Sequence, residues 1–313
     1  MKRRTFITLL GGAAAWPFAA RAQPERTRLI GALAPLPATV FAPFFSELRQ
    51  LGFIEGQNLA VDRRGFNARY DQLSTIAADI MKADPEVILC GGDAAIRAAQ
   101  NAMSNIPIVA ITDDMVGAGL VRSLAHPGGN TTGVSILAAD LDGKRQEVLL
   151  EFLPGIRRLA ALSDAQNNIL VDAARARGVE LSIHRVERKE DMGPAVSAAK
   201  AGGAEALNVL ASPLLHGNRH EIFIRTAELH LPAIYQRPET AQEGGLRAYG
   251  PRFTEVFRQL ARQLEKVLRG ANPADLPIEQ PTKFELVVNL RTAKEIGLDF
   301  SPMLLARADE VIE

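Results

Sequence analysis

Cysteine is nearly missing from this 313-residue chain: Cys90 is the only one, so no intramolecular disulfide framework exists. It ends an apolar, strand-like run with no activating histidine or basic residue nearby, which reads as a buried structural thiol rather than a nucleophile. Net charge is missing too. Lys and Arg total 36 against 36 Asp and Glu, so no basic field suits a nucleic-acid partner. The chain has no Gly-x-Ser-x-Gly elbow, and the pair Gly91-Gly92 lacks the Lys and Ser/Thr of a nucleotide-binding loop. His216 and His220 stand four apart, the spacing of one helical face. The residues between them are Gly217-Asn218-Arg219 without the glutamate of a zinc hydrolase, and His230 is ten further on, so a solvated loop-to-helix surface is the reading. No metal site, no cofactor and no catalytic constellation is expected. The mixed-sign run Arg185 to Asp191 reads as a solvated connection.

What is present is apolar. At 47% hydrophobic residues, the length suits about two domains of roughly 150 residues each. The charge is also unevenly spread: the first 22 residues hold Lys2, Arg3, Arg4 and Arg21 and no acid, which leaves 32 basic against 36 acidic residues beyond them. A basic start, an apolar middle from Phe6 to Ala20 and Ala20-Arg21-Ala22 before Gln23 read as a cleaved export signal. The alternative, a retained anchor, meets an apolar run that is short and broken by Gly11, Gly12 and Pro17. Arg3-Arg4-Thr5-Phe6-Ile7 resembles the twin-arginine export address. The expectation is a periplasmic, monomeric mature chain of about 291 residues starting near Gln23.

Periodicity after Gln23 alternates strands with helices. Leu29–Leu33 reads as a strand, Phe41–Leu51 as a helix with apolar residues at 41, 44, 45, 48 and 51, and Asn58–Arg63 as a strand. A helix over Tyr70–Lys82, a strand at Val87–Cys90, a helix over Ala94–Met103 and a strand at Ile106–Ile111 follow. The second half repeats the plan. Leu51-Gly52-Phe53 before Leu59-Ala60-Val61 matches Arg177-Gly178-Val179 before Leu181-Ser182-Ile183, each glycine suiting a left-handed helix stop. Ile80 to Leu89 parallels Ala199 to Leu210, and Ile106-Pro107-Ile108-Val109 parallels Leu231-Pro232-Ala233-Ile234. Two similar α/β lobes are predicted, each an open parallel sheet with helices on both faces. Their ligand loops fall at the carboxyl ends of the strands, and two such lobes make a cleft suited to hinge closure.

The export segment Arg3 to Pro17, Gly56-Gln57-Asn58, the loop His126 to Ser135 and the tail from Leu276 to Leu290, with Leu304 to Ile312, carry a resemblance. They are similar to the ABC-transporter substrate-binding proteins of the tryptophan/tyrosine-binding type, and the likeness covers nearly the whole chain. It implies a two-lobe receptor of the type I periplasmic-binding-protein fold that delivers a small solute to a membrane permease powered by an ATPase. It also implies three crossings between lobes, near Thr132–Leu137, Leu246–Gly250 and Leu276–Lys283. The lobes are then residues 27–133 with about 250–275, and residues 134–249 with about 276–313.

Strand-end position and the resemblance together nominate the ligand residues. In the first lobe these are Pro35, Leu36 and Pro37; Gly91, Gly92 and Asp93, where bare backbone and a helix cap can meet a small anion; and Thr112, Asp113 and Asp114. Asp114 holds the acidic place of a family pattern that usually reads Gly-Asp-Pro, and the additional acid Asp113 favours an amine-bearing solute. Ser135 lies at the first crossing. In the second lobe Ser163, Ser212, Tyr235 and Arg237 follow their strands and Tyr249 lies at a crossing. Two of the three tyrosines suit stacking on a planar solute and Arg237 suits a carboxylate; a tyrosine packed in the hinge and an arginine in a surface ion pair are the alternatives. The expected function is capture of a carboxylate-bearing or aromatic, amino-acid-like solute for uptake. An enzyme on the same scaffold and a ligand-sensing subunit remain open at this point.

Overall fold

The computed structural model describes residues 26–102, 105–164 and 168–313, so the export segment and Met103 lie outside the described residues. Five strands form one sheet: β1 (Arg28–Ala34), β2 (Leu59–Phe66), β3 (Val87–Gly91), β4 (Ile108–Thr112) and β5 (Thr131–Ser135), in the order β2-β1-β3-β4-β5 and all parallel. Its inner strands β3 and β4 are buried at every residue, which is why they read as unbroken apolar runs.

The second sheet contains β6 (Arg158–Ser163), β7 (Glu180–Arg185), β8 (Ala206–Val209), β9 (Ala233–Tyr235), β10 (Arg247–Gly250), β11 (Glu285–Asn289) and β12 (Glu310–Ile312), in the order β12-β11-β10-β9-β8-β6-β7. Its first five strands repeat the order of the other sheet, so the sequence parallels correspond to a repeated fold. The matched helix stops repeat as well. Gly52 and Gly178 both hold positive φ, 94° and 71°, and the next residue's N–H reaches back five residues in both cases, Phe53 to Leu48 and Val179 to Ala174.

One detail departs from the parallel expectation: β10 and β11 are antiparallel. Strand β10 runs toward the crossings and β11 leaves them, so adjacent strands point opposite ways. Element edges also move by a few residues. The first helix spans Ala42–Gln50 after a 3-10 turn at Ala38–Phe41, the second Leu73–Met81 after a turn at Tyr70–Gln72, and the third Asp93–Ala102.

The helix Phe253–Leu268 lies late in the chain yet buries Val256, Phe257, Leu260 and Leu264 against Phe41, Phe44 and Leu48 of the first sheet's core. Chain crossings between the sheets are tightly bound to one another. Ser135 N–H donates to the Glu279 carbonyl and Glu279 N–H to the Gly133 carbonyl, both at 2.9 Å, while Thr132 Oγ1 donates to the Leu276 carbonyl at 3.0 Å. The Glu279 carboxylate accepts from Gln259, Gln263 and Lys266 of the Phe253–Leu268 helix. Gly133 has φ 140°, and a Cβ there would sit 1.9 Å from the Ala110 carbonyl oxygen, so only glycine lets β4 and β5 pair at this point. Among the described residues no helix is long and apolar enough to cross a membrane.

Candidate functional site

The carboxyl ends of both sheets face a shared cleft. Leu36 after β1, Gly91 and Gly92 at the end of β3, and Thr112 and Asp113 at the end of β4 line one side. Ala211 and Ser212 after β8, and Gln236 and Arg237 after β9, line the other. Helices complete the walls with Leu141 and Arg145 on one and Phe253 and Phe257 on another. An adjoining part of the same cleft, about 250 Å³, is bounded by Pro35, Tyr70 and Asp93.

Charge is concentrated where the walls meet. Asp113 is pushed up to about 6, chiefly by burial and against the pull of Arg237 and Arg145 across the cleft. Burial likewise brings Arg237 down to about 10 while Asp113 and Glu239 oppose the shift. The Arg237 guanidinium lies 3.3 Å above the Phe253 ring, a cation–π contact between the two sides. Beneath it, Arg145 is 1% exposed and paired with Asp142, whose carboxylate also accepts the Ala211 N–H at 3.1 Å. Burial raises the Asp142 carboxyl, and the neighbouring Arg145 works against that rise.

Several nominated residues lie elsewhere. Tyr235 is 2% exposed in the core of the second sheet, its ring edge-on to Phe223 at 5.0 Å and its hydroxyl 3.4 Å from Thr226 Oγ1, so it offers no stacking surface to the cleft. The physical reason is that Tyr235 still belongs to β9, whose three residues are all buried, whereas Gln236 and Arg237 lie past the strand end and line the cleft. Tyr249 stacks on Phe284 at 6.4 Å within the crossing and does not line the cleft. Asp114 is exposed and closes a turn, accepting from Gly117 N–H at 2.8 Å and Val116 N–H at 3.1 Å. Ser135 is buried and accepts the Met115 N–H at 3.2 Å, and Ser163 is buried at the end of β6. Pro37 heads the Ala38–Phe41 turn, taking the Val40 N–H at 3.0 Å. Asp93 stands at the cleft edge, accepting from Thr112 Oγ1, and Ser212 caps the helix after β8 while donating to Asp164 at 2.6 Å.

His216 and His220 do not share a helix, because the chain breaks at Asn218 between Pro213–Gly217 and Arg219–Glu228. His216 is half-buried rather than solvated, and burial, followed by Arg237, Arg219 and His220, drives it down to about 2. Among the described residues no group of three or more His, Cys, Asp or Glu is placed to hold a metal.

Among the cleft residues missed from sequence are Arg145, with Asp142 buried behind it, Phe253 and Phe257, together with Tyr70, which is 62% exposed at the rim. The helical ones carry the same periodicity as core residues. The charged pair Asp142/Arg145, three apart just past the first crossing, is the one signal from which the site's second arginine could have been found.

The fold and cleft define a two-lobed binding protein. The profile of the family described as ABC transporter substrate binding protein matches residues 41–312, and the chain belongs to that family. It is 26% identical over 267 residues to a tyrosine-binding protein of Clostridioides difficile, covering 82% of this chain and 75% of that one. Its fold superposes on a conserved domain protein from Vibrio cholerae with TM-score 0.84 at 21% identity, covering 91% of this chain and all of that one. It also superposes on a Streptococcus pneumoniae ABC domain in complex with L-Trp, with TM-score 0.81 at 19% identity and the same coverage.

Proposed function

We propose that this protein is the periplasmic receptor of an ABC uptake system, closing its cleft around a small amino-acid-like solute, with an aromatic side chain favoured, and presenting it to a membrane permease. The observation that carries this reading is the cleft's composition. One acid, Asp113, comes from the first sheet, two arginines, Arg145 and Arg237, come from the side of the second sheet, and Phe253 and Phe257 form the adjoining wall. Opposite charges a short way apart beside aromatic rings match a zwitterion with a planar side chain. The glycine pair Gly91-Gly92 leaves backbone open to a solute, and Tyr70 stands at the rim. The tyrosine-binding relative and the tryptophan complex of similar fold support the same solute class. The binding-protein kinship favours capture over catalysis.

A thermal-shift screen of the chain from Gln23 onward tests the reading. L-Tyrosine, L-tryptophan or a close analogue should raise the melting temperature, by an amount growing with the logarithm of solute over Kd, and be recovered unchanged. No shift with any amino acid or aromatic acid overturns it, and a converted product replaces it with an enzyme.

A further inference from the structure

We infer that Arg145, rather than the more prominent Arg237, anchors the solute's carboxylate, and that it links the occupied cleft to the hinge. This rests on the reading of the cleft as a solute site. Arg145 projects from the helix Ala138–Phe152 to the cleft floor and is 1% exposed. Its Nη2 is held by Asp142, itself fixed by the Ala211 N–H, and its Nη1 donates to the Tyr249 carbonyl at 3.2 Å. Its Nε is buried and has no hydrogen-bond partner. A buried N–H on a charged group without an acceptor is costly, and a carboxylate oxygen entering the cleft removes that cost.

Arg237 is placed differently. Its guanidinium lies over Phe253, it keeps Asp113 and Glu239 as charged neighbours, and none of its nitrogens is a buried orphan. It covers the aromatic wall, and its contribution to affinity extends to solutes without a carboxylate. The bond from Nη1 to Tyr249 places the anchor against the second crossing, one residue before Gly250. A Cβ at Gly250 would come within 2.1 Å of the Gln236 carbonyl oxygen, so the crossing is closely packed there.

The test is calorimetric titration of the wild type, Arg145→Met, Arg145→Lys and Arg237→Met with L-tyrosine and with tyramine, which lacks the carboxylate. Arg145→Met should weaken L-tyrosine by about 30-fold or more and tyramine by less than threefold. Arg145→Lys, which keeps the charge but loses the planar fork, should fall between. Arg237→Met should weaken both solutes to a similar extent. If Arg145→Met fails to fold, Arg145→Lys carries the comparison, and a selective loss of L-tyrosine there gives the same answer. Binding of L-tyrosine within threefold of wild type in the Arg145 variants, or an equal loss for both solutes, overturns the assignment while leaving the cleft reading intact. A wild type that binds neither L-tyrosine, L-tryptophan nor 3-(4-hydroxyphenyl)propionate overturns the cleft reading and this inference with it.

Discussion

The two sheets share a strand order but differ in what they bring to the cleft. The first contributes backbone and an acid, at Gly91, Gly92 and Asp113; the second, with the helix Ala138–Phe152 packed on it, contributes arginines, at Arg145 and Arg237. They also differ inside. The core of the second buries a guanidinium, Arg247, between Phe152 and Phe300 at 5.2 and 5.3 Å, with none of its nitrogens hydrogen-bonded. The first sheet's core instead borrows the helix Phe253–Leu268, which lies in the chain between β10 and β11 of the second sheet, and Phe257 of that helix packs 4.9 Å from Phe41 while its neighbour Phe253 lies under Arg237. A repeated topology therefore sets where the site lies, and the departures from the repeat set its chemistry.

The comparison is most severely tested by Phe257→Ala. Removing this buried ring should cost about 3–5 kcal/mol in denaturant unfolding, because it opens a cavity in the first sheet's core and at the cleft wall together. Next, Arg247→Met should stabilise the second half by about 1–3 kcal/mol at pH 7, since burial already brings this guanidinium down to about 9 and no carboxylate offsets the desolvation. A destabilised variant would mean that the two flanking rings outweigh the cost of burying the charge.

Smaller, and dependent on pH, is Asp113→Asn. The carboxyl of Asp113 stands near 6 in the folded chain against an ordinary 3.8, so the folded state holds its proton more tightly than the unfolded chain does. Ionisation of this group therefore subtracts stability as pH rises from about 4 to 6 and leaves the deficit in place above that. The asparagine variant should match wild type near pH 4 and exceed it by up to about 2 kcal/mol at pH 7, read from urea unfolding at both pH values. The smallest effect is expected of the adjacent acid. Asp114→Ala loses an exposed turn cap, about 1 kcal/mol or less in the same assay, and should leave solute affinity within twofold of wild type.

Much of the fold was legible in the sequence because it rests on local rules. Apolar runs marked β3 and β4, and glycines marked the helix stops at Gly52 and Gly178. The strand-end loops then supplied Leu36, Gly91, Gly92, Asp113, Ser212 and Arg237, all of which the structure brings to the cleft. Neighbouring positions were harder to separate. Asp113 and Asp114 are consecutive, and backbone alternation sends one to the cleft and the other to a turn. Tyr235 and Arg237 are separated by the strand end itself: the ring belongs to the last residue of β9 and packs in the core, while Arg237 lies beyond it, ahead of the helix Pro238–Gln242. Of the three tyrosines, the two nominated pack into the core and the crossing, and the third, Tyr70, reaches the rim.

What the sequence determined by itself was the two-lobe plan, the family, and the strand ends that bound a cleft, because strand period, helix stops and turn chemistry act over a few residues. Only the tertiary structure decided that Arg145 and Phe253, 108 residues apart, meet at one site. A helix side chain's periodicity says that it faces inward, while whether inward means core or cleft depends on what the rest of the chain packs against it.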